Sequence, residues 1–336
     1  APKIAMDSDG SFVVVWQSFN QEGEFSDWGI FGQRYSSVGD QVGTEFQINT
    51  YTTANQTNPA IAMDNNGDFV VAWQSGSYGA LGNQDGAGYG IFAQKYNKNG
   101  ARVGFEFQVN SYTSGYQQFP SIAIDADGDF IIAWDGSGPG DVQGIFAKIF
   151  YAEGLSQENE FKVNTVDASQ ETNPSVAMDD YGDFVVTWTS ASHHGLDDQY
   201  YGIFGQRFSA SLVAQGSEFQ VNSYTTNSQQ YSSVSMDNEG NFVVVWQSLN
   251  EEVLDAESIT LGFQPLNGIF GQRFSADGSD IGGEFQVNGV ARDQQTSANV
   301  KMDKTGNFIV TWQSYGQDGS FYGISVKRYN SSGQSQ

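Results

Sequence analysis

The stretch PAIAMDNNGDFVVAWQ, residues 59–74, decides the fold, because the chain repeats its pattern six times. In every copy the step from a repeated Asp to a repeated Trp is 9 residues. The pairs are Asp7 and Trp16, Asp64 and Trp73, Asp125 and Trp134, Asp179 and Trp188, Asp237 and Trp246, and Asp303 and Trp312. A spacing held this constant indicates one supersecondary unit repeated along the chain.

Two further spacings are constant and one varies. From the Gly of a Gly-Ile-Phe signature to the Glu of a Glu-Phe-Gln/Lys-Val/Ile-Asn motif the step is 16 residues in five repeats. From the closing Asn of that motif to the next repeated Asp it is 15. The step from the Trp to the next Gly runs 13, 17, 10, 14, 22 and 11. Variable length on a regular scaffold is typical of loops that carry function.

The second repeat predicts four short strands, A to D. Strand A covers residues 60–63, and residues 64–68, Asp-Asn-Asn-Gly-Asp, predict a tight hairpin turn that needs glycine at a positive φ. Strand B, residues 69–73, is apolar without alternation, which favours burial on both faces. Strand C covers residues 90–96 and strand D residues 106–110. Four antiparallel strands per repeat therefore form the predicted unit.

Strand D alternates polar and apolar residues and predicts an outer strand with one wet face. We expect Phe107 and Val109 to point inward, and Glu106, Gln108 and Asn110 to point outward.

Sheets buried on both faces need neighbours stacked on each side, so the predicted fold is an all-β, six-bladed β-propeller with four-stranded antiparallel blades. Tandem immunoglobulin-like sandwiches need about 100 residues each, and a β-helix has parallel strands, so both fit less well. The repeated Trp residues are expected between blades. We expect a single domain, residues 1–336, with blades at about 1–49, 59–110, 120–164, 174–222, 232–288 and 298–336.

The sixth repeat lacks its strand D, because no Glu-Phe-Gln-Val-Asn motif follows Tyr329. Three alternatives exist for this edge of the sixth blade: a flanking segment of a longer precursor completes it, a partner chain completes it, or it stays open. The first is favoured. A seven-bladed ring of which this chain is a part is the alternative fold.

The composition limits the classes of partner that this chain is expected to bind. The chain has 14 Lys and Arg against 39 Asp and Glu, a formal charge of -25, which disfavours nucleic acid and anionic lipid surfaces. It has no Cys, so neither disulfides nor thiolate chemistry are available. No apolar run reaches the roughly 20 residues of a membrane span. We therefore expect no membrane insertion.

The Ala-Met-Asp-x-x-Gly-Asp-Phe-Val-Val-x-Trp, Gly-Ile-Phe-Gly-Gln-Arg-Phe and Glu-Phe-Gln-Val-Asn series resembles repeats of large secreted bacterial surface proteins. Many of those proteins also carry haemolysin-type calcium-binding arrays, whose glycine-rich nonapeptides are not visible here. The layout of strand A, turn and strand B is similar, more distantly, to TolB-type propeller blades. The resemblance implies an extracellular or cell-surface, exported protein.

In such blades all B-to-C loops leave the same face, and here the variable interval is the B-to-C loop. These loops are rich in carboxylates and aromatic rings, which suit a sugar or a cation. The candidate ligand-binding residues are Asp27, Trp28, Tyr89, Asp141, Asp198, Tyr201, Phe263 and Tyr322. Trp28 is the sharpest candidate, because it is the only Trp outside the repeat position. The alternative is that these residues only brace long loops.

Calcium is a weaker candidate ligand, and no cofactor is expected to be required. Asp125, Asp127 and Asp129 place three carboxylates at alternate positions, as a calcium loop does, but the glutamate expected seven residues later in an EF-hand is missing. A plain hairpin turn is the favoured interpretation. The two histidines, His193 and His194, lie in the fourth variable loop without an evident third ligand.

The sequence thus predicts a non-enzymatic scaffold or adhesion module that binds glycan or a surface protein through its variable-loop face. No catalytic signature accompanies the repeats, and a carboxylate present in every repeat is more easily structural than catalytic. The alternatives are a glycan-active hydrolase working on the same face, with an acid–base pair among the variable-loop carboxylates, and a purely structural surface or filament component.

Overall fold

The computed structural model describes residues 2–21, 27–77, 83–86, 88–152, 159–166, 170–191, 200–249, 266–289, 294–316 and 321–336. These residues form strands and turns, with no helix among them. The strands build six antiparallel sheets, five of four strands and one of three. The predicted fold, a six-bladed β-propeller, is confirmed.

The first three blades follow the strand order of the chain. In each, the four strands pair with their sequence neighbours. Their bounds are β1 Lys3–Met6, β2 Phe12–Phe19, β3 Trp28–Tyr35 and β4 Gln41–Gln47; β5 Asn55–Met63, β6 Phe69–Gly76, β7 Tyr89–Tyr96 and β8 Arg102–Gln108; β9 Gln117–Ile124, β10 Phe130–Gly138, β11 Asp141–Phe150 and β12 Phe161–Lys162.

The last three blades repeat the pattern, and the sixth lacks a fourth strand. Their bounds are β13 Glu171–Met178, β14 Phe184–Ala191, β15 Tyr201–Phe208 and β16 Phe219–Gln220; β17 Gln229–Met236, β18 Phe242–Leu249, β19 Asn267–Phe274 and β20 Phe285–Gln286; β21 Gln295–Met302, β22 Phe308–Tyr315 and β23 Tyr322–Tyr329. By Cα proximity the chain divides into two compact units of three blades each, Ala1–Asn164 and Thr165–Gln336. They are called here the first and second units and are described separately.

The repeated Asp shapes the turn between the first two strands of each blade. In the second blade, Asp64 Oδ1 accepts the backbone N–H of Asn66 and of Asp68, both at 2.9 Å. The same two bonds recur at every repeated Asp, and the turn glycine, Gly67 here, has φ +91°. The sequence prediction of an Asp-capped hairpin turn is therefore confirmed.

The repeated Trp packs between blades, as predicted. Trp73 is fully buried beside Val13 and Val15 of the preceding blade, and Trp246 is fully buried against Val185. Burial of a large ring in each of these interfaces is a major source of the apolar stabilisation that joins successive blades.

The outer strand of the second blade differs from the prediction in its bounds, which are Arg102–Gln108 instead of 106–110, and in the burial of the residue that closes the motif. Val109 is buried as expected, but Asn110, predicted to point outward, is 3% exposed. Its Oδ1 accepts the backbone N–H of Ile91 at 2.7 Å. The outward prediction is wrong because the buried N–H at the start of the third strand needs an acceptor after the fourth strand has ended.

Candidate functional site

The candidate residues fall at one strand end in each unit. Trp28, Tyr89 and Asp141 are the first residues of β3, β7 and β11 in the first unit, and Asp27 directly precedes β3. In the second unit Tyr201 and Tyr322 open β15 and β23. The variable loops thus return to the sheets at these positions, which we call the variable-loop end of each unit. Asp198 and Phe263 lie outside the described residues.

A buried network of hydrogen-bonded side chains lies next to the variable-loop end of each complete blade. In the first blade, the closing Asn49 accepts the Ile30 N–H at 2.7 Å and donates to the Gln56 side chain at 3.3 Å and to the Tyr51 carbonyl at 2.9 Å. Gln56 is fully buried and donates in turn to the Ala54 carbonyl at 3.0 Å. Such satisfied buried networks hold a strand end rigidly, so groups mounted on it keep a fixed geometry.

Asp141 is the candidate carboxylate that the structure fixes most firmly. Its side chain is 4% exposed and forms an ion pair with Lys162 Nζ at 3.0 Å. Its Oδ1 accepts the Gln143 N–H at 3.0 Å, and its Oδ2 accepts from Asn164 Nδ2 at 3.3 Å. Burial without a partner would make an ionised carboxylate costly, and the ammonium and two donors offset that cost. Asp141 is therefore a buried, charged group at the variable-loop end.

Asp85 is placed in the same way in the second blade. A Cβ built on Gly90 would lie 2.8 Å from Asp85 Oδ2, and a Cβ built on Gly144 would lie 2.7 Å from Asp141 Oδ2. Both glycines open the Gly-Ile-Phe signature, so the two carboxylates lie over equivalent points of neighbouring blades. The signature glycine leaves room there for a carboxylate from the variable loop.

Aromatic rings share this end of the first unit. Trp28 is half-buried and lies against exposed Phe19, with ring centroids 5.4 Å apart. Tyr89 lies 5.9 Å from Tyr116, the residue before β9. Trp28 and Tyr89 therefore have separate aromatic neighbours.

The second unit also gathers aromatic rings at this end. Tyr322 is 57% exposed and packs edge-on against Tyr315 at 5.1 Å, and Tyr315 in turn packs against Phe321. Tyr201 is half-buried at the start of β15. Exposed aromatic side chains such as Tyr322 suit a ligand with an apolar face.

The three proposed calcium ligands belong to a hairpin turn at the opposite strand end. Asp125 Oδ1 accepts the N–H groups of Asp127 and Asp129 at 3.0 and 2.9 Å, and Asp129 Oδ1 accepts the Ala152 N–H at 2.7 Å. Burial raises the pKa of the Asp125 carboxyl above its usual range, against the opposing effect of these bonds. Within the described ranges, no three Asp, Glu, His or Cys side chains converge as metal ligands would. Calcium binding stays a prediction.

Sequence reasoning missed two buried carboxylates that occur once. The residue after the repeated Trp is Gln in four repeats and Thr in one, but Asp135 in the third. The residue seven positions after the closing Asn is Gln in four repeats, but Glu171 in the fourth. Asp135 and Glu171 are 5% and 2% exposed, and Glu171 Oε1 accepts from Ser190 Oγ at 3.2 Å. The signal was a Gln-to-carboxylate change within the repeat alignment.

Comparison with known proteins shows the fold. No protein-family model matches the chain, and no curated protein is similar to it. An α-L-arabinanase from Penicillium chrysogenum, solved with arabinobiose, is similar in structure with a TM-score of 0.59 at 12% identity, covering 97% of this chain and 92% of that one. An α-L-arabinofuranosidase from Fusarium graminearum, solved with an iminosugar inhibitor, gives 0.58 at 11%, covering 97% and 91%. A protein of unknown function from Dyadobacter fermentans gives 0.56 at 11%, covering 97% and 93%.

These comparisons correct the sequence-based view of activity. A non-enzymatic chain was expected because no catalytic signature accompanies the repeats, and that expectation is wrong: the similar structures include an arabinanase and an arabinofuranosidase, both enzymes. The reason for the error is physical. An acid–base pair needs only two carboxylates placed by the fold, and such a pair leaves no recognisable sequence motif. At these identities the likeness itself shows a shared propeller fold.

Proposed function

We propose that this chain is an exported, glycan-active hydrolase that works at the variable-loop end of its blades. The observation that carries the proposal is Asp141, a carboxylate present in one repeat, buried and ion-paired where the variable loop returns. The arabinanase and arabinofuranosidase among the similar structures support it. Asp85, which lies over the equivalent glycine of the second blade, and Asp135 are further carboxylates of the same unit that the constant motifs do not supply.

Glycoside hydrolysis needs two carboxyl groups with different roles. One must be protonated, to give its proton to the glycosidic oxygen as that bond breaks. The other must be ionised, either to take a proton from the attacking water or to attack the anomeric carbon itself. Asp141 fits the ionised role, because its ion pair with Lys162 holds the negative charge. The proton donor would come from the remaining carboxyls of this face.

The aromatic residues supply the other requirement of such a site. A sugar ring presents C–H groups on one face and hydroxyls at its rim, so an exposed aromatic ring and nearby polar groups can orient it. Tyr322 in the second unit is such an exposed ring, and Trp28 and Tyr89 in the first unit are half-buried rings at the same strand end. The chain's charge of -25 favours an uncharged glycan over an anionic one.

The test is turnover of defined glycans. The purified chain would be incubated with a panel of linear polysaccharides, arabinan included, with calcium or with a chelator, and released oligosaccharides identified by mass spectrometry. We expect cleavage of at least one uncharged glycan. Selective binding without product on the whole panel contradicts the proposal, and activity lost in chelator and restored by calcium would support the calcium prediction.

A further inference from the structure

An unusual backbone conformation recurs in the first strand of five blades. At the residue nine positions after the closing Asn, the chain has a positive φ and the pairing with the second strand shifts by a β-bulge. The residues are Asn58, Phe119, Asn173, Tyr231 and Ser297, with φ of 52°, 51°, 54°, 58° and 57°.

The bulge itself is a structural feature of the repeat. The backbone N–H of Asn58 donates to Gln17 Oε1 of the preceding blade at 2.9 Å, and the N–H of Phe119 donates to Gln74 Oε1 at 3.2 Å. In the second unit the N–H of Tyr231 donates to Thr189 Oγ1 at 3.1 Å. The positive φ therefore aims a main-chain donor at the neighbouring blade, whichever side chain stands there.

The side chains at this position are what need explaining. Asn tolerates the left-handed region well, and two of the five repeats have it. Bulky aromatic residues adopt that region rarely and at a cost in energy. Phe119 and Tyr231 nevertheless stand there, and they are 39% and 48% exposed. The ring is not needed for the main-chain bond, because Asn58 makes the same bond without one.

The position lies on the free edge of the sheet near the variable-loop end. β9 is the last strand of its sheet on that side, and Phe119 is its third residue. Tyr116 precedes β9 and packs against Tyr89, so the Phe119 backbone lies roughly 10 Å along the chain from that pair. Phe119 is thus a further exposed aromatic residue near the variable-loop end of the first unit.

We propose that Phe119 is a sugar-stacking residue, which binds the apolar face of an uncharged linear glycan in the first unit. It rests on the proposed function in taking a glycan as the ligand. Tyr231 holds the equivalent position in the second unit and is the corresponding contact there. The carboxylates Asp85 and Asp141 lie at this strand end, which disfavours anionic sugars. A binding role for the ring accounts for an aromatic residue at a position of positive φ.

The experiment compares Phe119→Asn with the wild-type protein on a glycan array that holds uncharged, uronate-containing and sialylated oligosaccharides. Calorimetric titration of the best ligand follows. Phe119→Asn should weaken binding about tenfold, the loss of one stacked ring. Because Asn is the residue of two other blades, its Tm should stay within about 3 °C of the wild-type value. Phe119→Trp should restore binding.

Phe105 supplies the matched control, because it is an aromatic residue 92% exposed on β8, an outer strand. Phe105→Asn should leave both affinity and Tm unchanged. Unchanged affinity in Phe119→Asn, a Tm loss of more than about 6 °C, or no binding of any uncharged glycan overturns the inference. If glycan binding depends on Phe119 but no glycan is cleaved, the role of Phe119 is supported and the proposed hydrolase activity is contradicted. If a glycan is cleaved equally well by the wild type and Phe119→Asn, the hydrolase is supported and the role of Phe119 is contradicted.

Discussion

At the scale of single residues, the repeated Asp and the single-copy carboxylates differ in what their oxygens contact. One carboxylate oxygen of the repeated Asp125 accepts hydrogen bonds from two backbone N–H groups of its own turn. Asp141 contacts Lys162 of β12 and the side-chain amide of Asn164, which follows that strand. The first arrangement stabilises a hairpin turn and recurs in each blade, whereas the second holds a carboxylate at the variable-loop end of the third blade. Identity of residue type therefore says little about role until the partners are known.

Two substitutions at Asp125 separate hydrogen bonding from charge. Asp125→Ala removes the acceptor of two N–H groups and should lower the free energy of unfolding by about 1–2 kcal/mol. Asp125→Asn keeps an acceptor oxygen and removes a buried charge, so it should be at least as stable as the wild type at pH 7. Chemical denaturation of the three proteins checks this.

The raised pKa of the Asp125 carboxyl predicts how the stability difference between the wild type and Asp125→Asn depends on pH. The folded protein holds this proton more tightly than the unfolded chain does, so this group's contribution to stability is largest in acid. It falls as pH rises from the usual Asp range through the raised folded value. Relative to wild type, Asp125→Asn should therefore gain stability across that window. A gain that grows toward low pH contradicts the account.

At the scale of strands, the sequence predicted the elements because each one carries its own signal. Strands A to D, the capped turn and the missing fourth strand of the sixth blade all follow from spacing and apolar pattern. The buried Asn110 could not be predicted from alternation, because its environment is set by an N–H of another strand. The bulge at Phe119 was not predicted either, because phenylalanine rarely adopts a positive φ and so gives no sequence signal for one.

Gly136 is the position where the strand geometry of the third blade is most constrained. It has φ +132°, and a Cβ placed on it would lie 1.8 Å from the Tyr116 carbonyl oxygen. The same oxygen accepts the Ser137 N–H at 2.8 Å. Gly136→Ala must therefore break the β9–β10 junction, at about 3 kcal/mol, and displace Tyr116.

Gly205 provides the matched comparison, because its φ is not in the left-handed region. A Cβ there would meet the Phe219 ring at 2.9 Å, and a ring can shift. Ala93 and Ala147 occupy the same position in two other blades. Gly205→Ala should therefore cost less than about 1 kcal/mol. Equal destabilisation by the two substitutions, measured by urea unfolding, is the outcome that this account does not allow.

At the scale of the whole molecule, repetition and charge dominate. Successive blades in each unit bury a Trp between them, so stability is spread over similar interfaces rather than held in one centre. The described part of the chain contains no helix long and apolar enough to cross a membrane. The completion of the three-stranded sixth blade by a flanking segment or a partner chain stays a prediction, as does the secreted-protein resemblance.

The net charge of -25 sets an expectation for salt. Like charges repel one another in the compact state, and added salt screens that repulsion. Raising sodium chloride from about 10 mM to about 500 mM, where the Debye length shrinks from roughly 30 Å to below 5 Å, should therefore raise the Tm. Calorimetry at pH 7 checks this, with sucrose at matched osmolality as the control. A fall in Tm with salt would show that attractive ion pairs outweigh the repulsion.

The central claim is that a single-copy carboxylate at the variable-loop end, and not the repeated ones, performs glycan hydrolysis. The most direct measurement compares kcat on the best glycan substrate for wild type, Asp141→Asn and the control Asp125→Asn, with circular dichroism confirming that each is folded. The account predicts a loss of 100-fold or more in kcat, on the order expected for a lost general base, for Asp141→Asn alone. Full activity in folded Asp141→Asn, or an equal loss in Asp125→Asn, would contradict it.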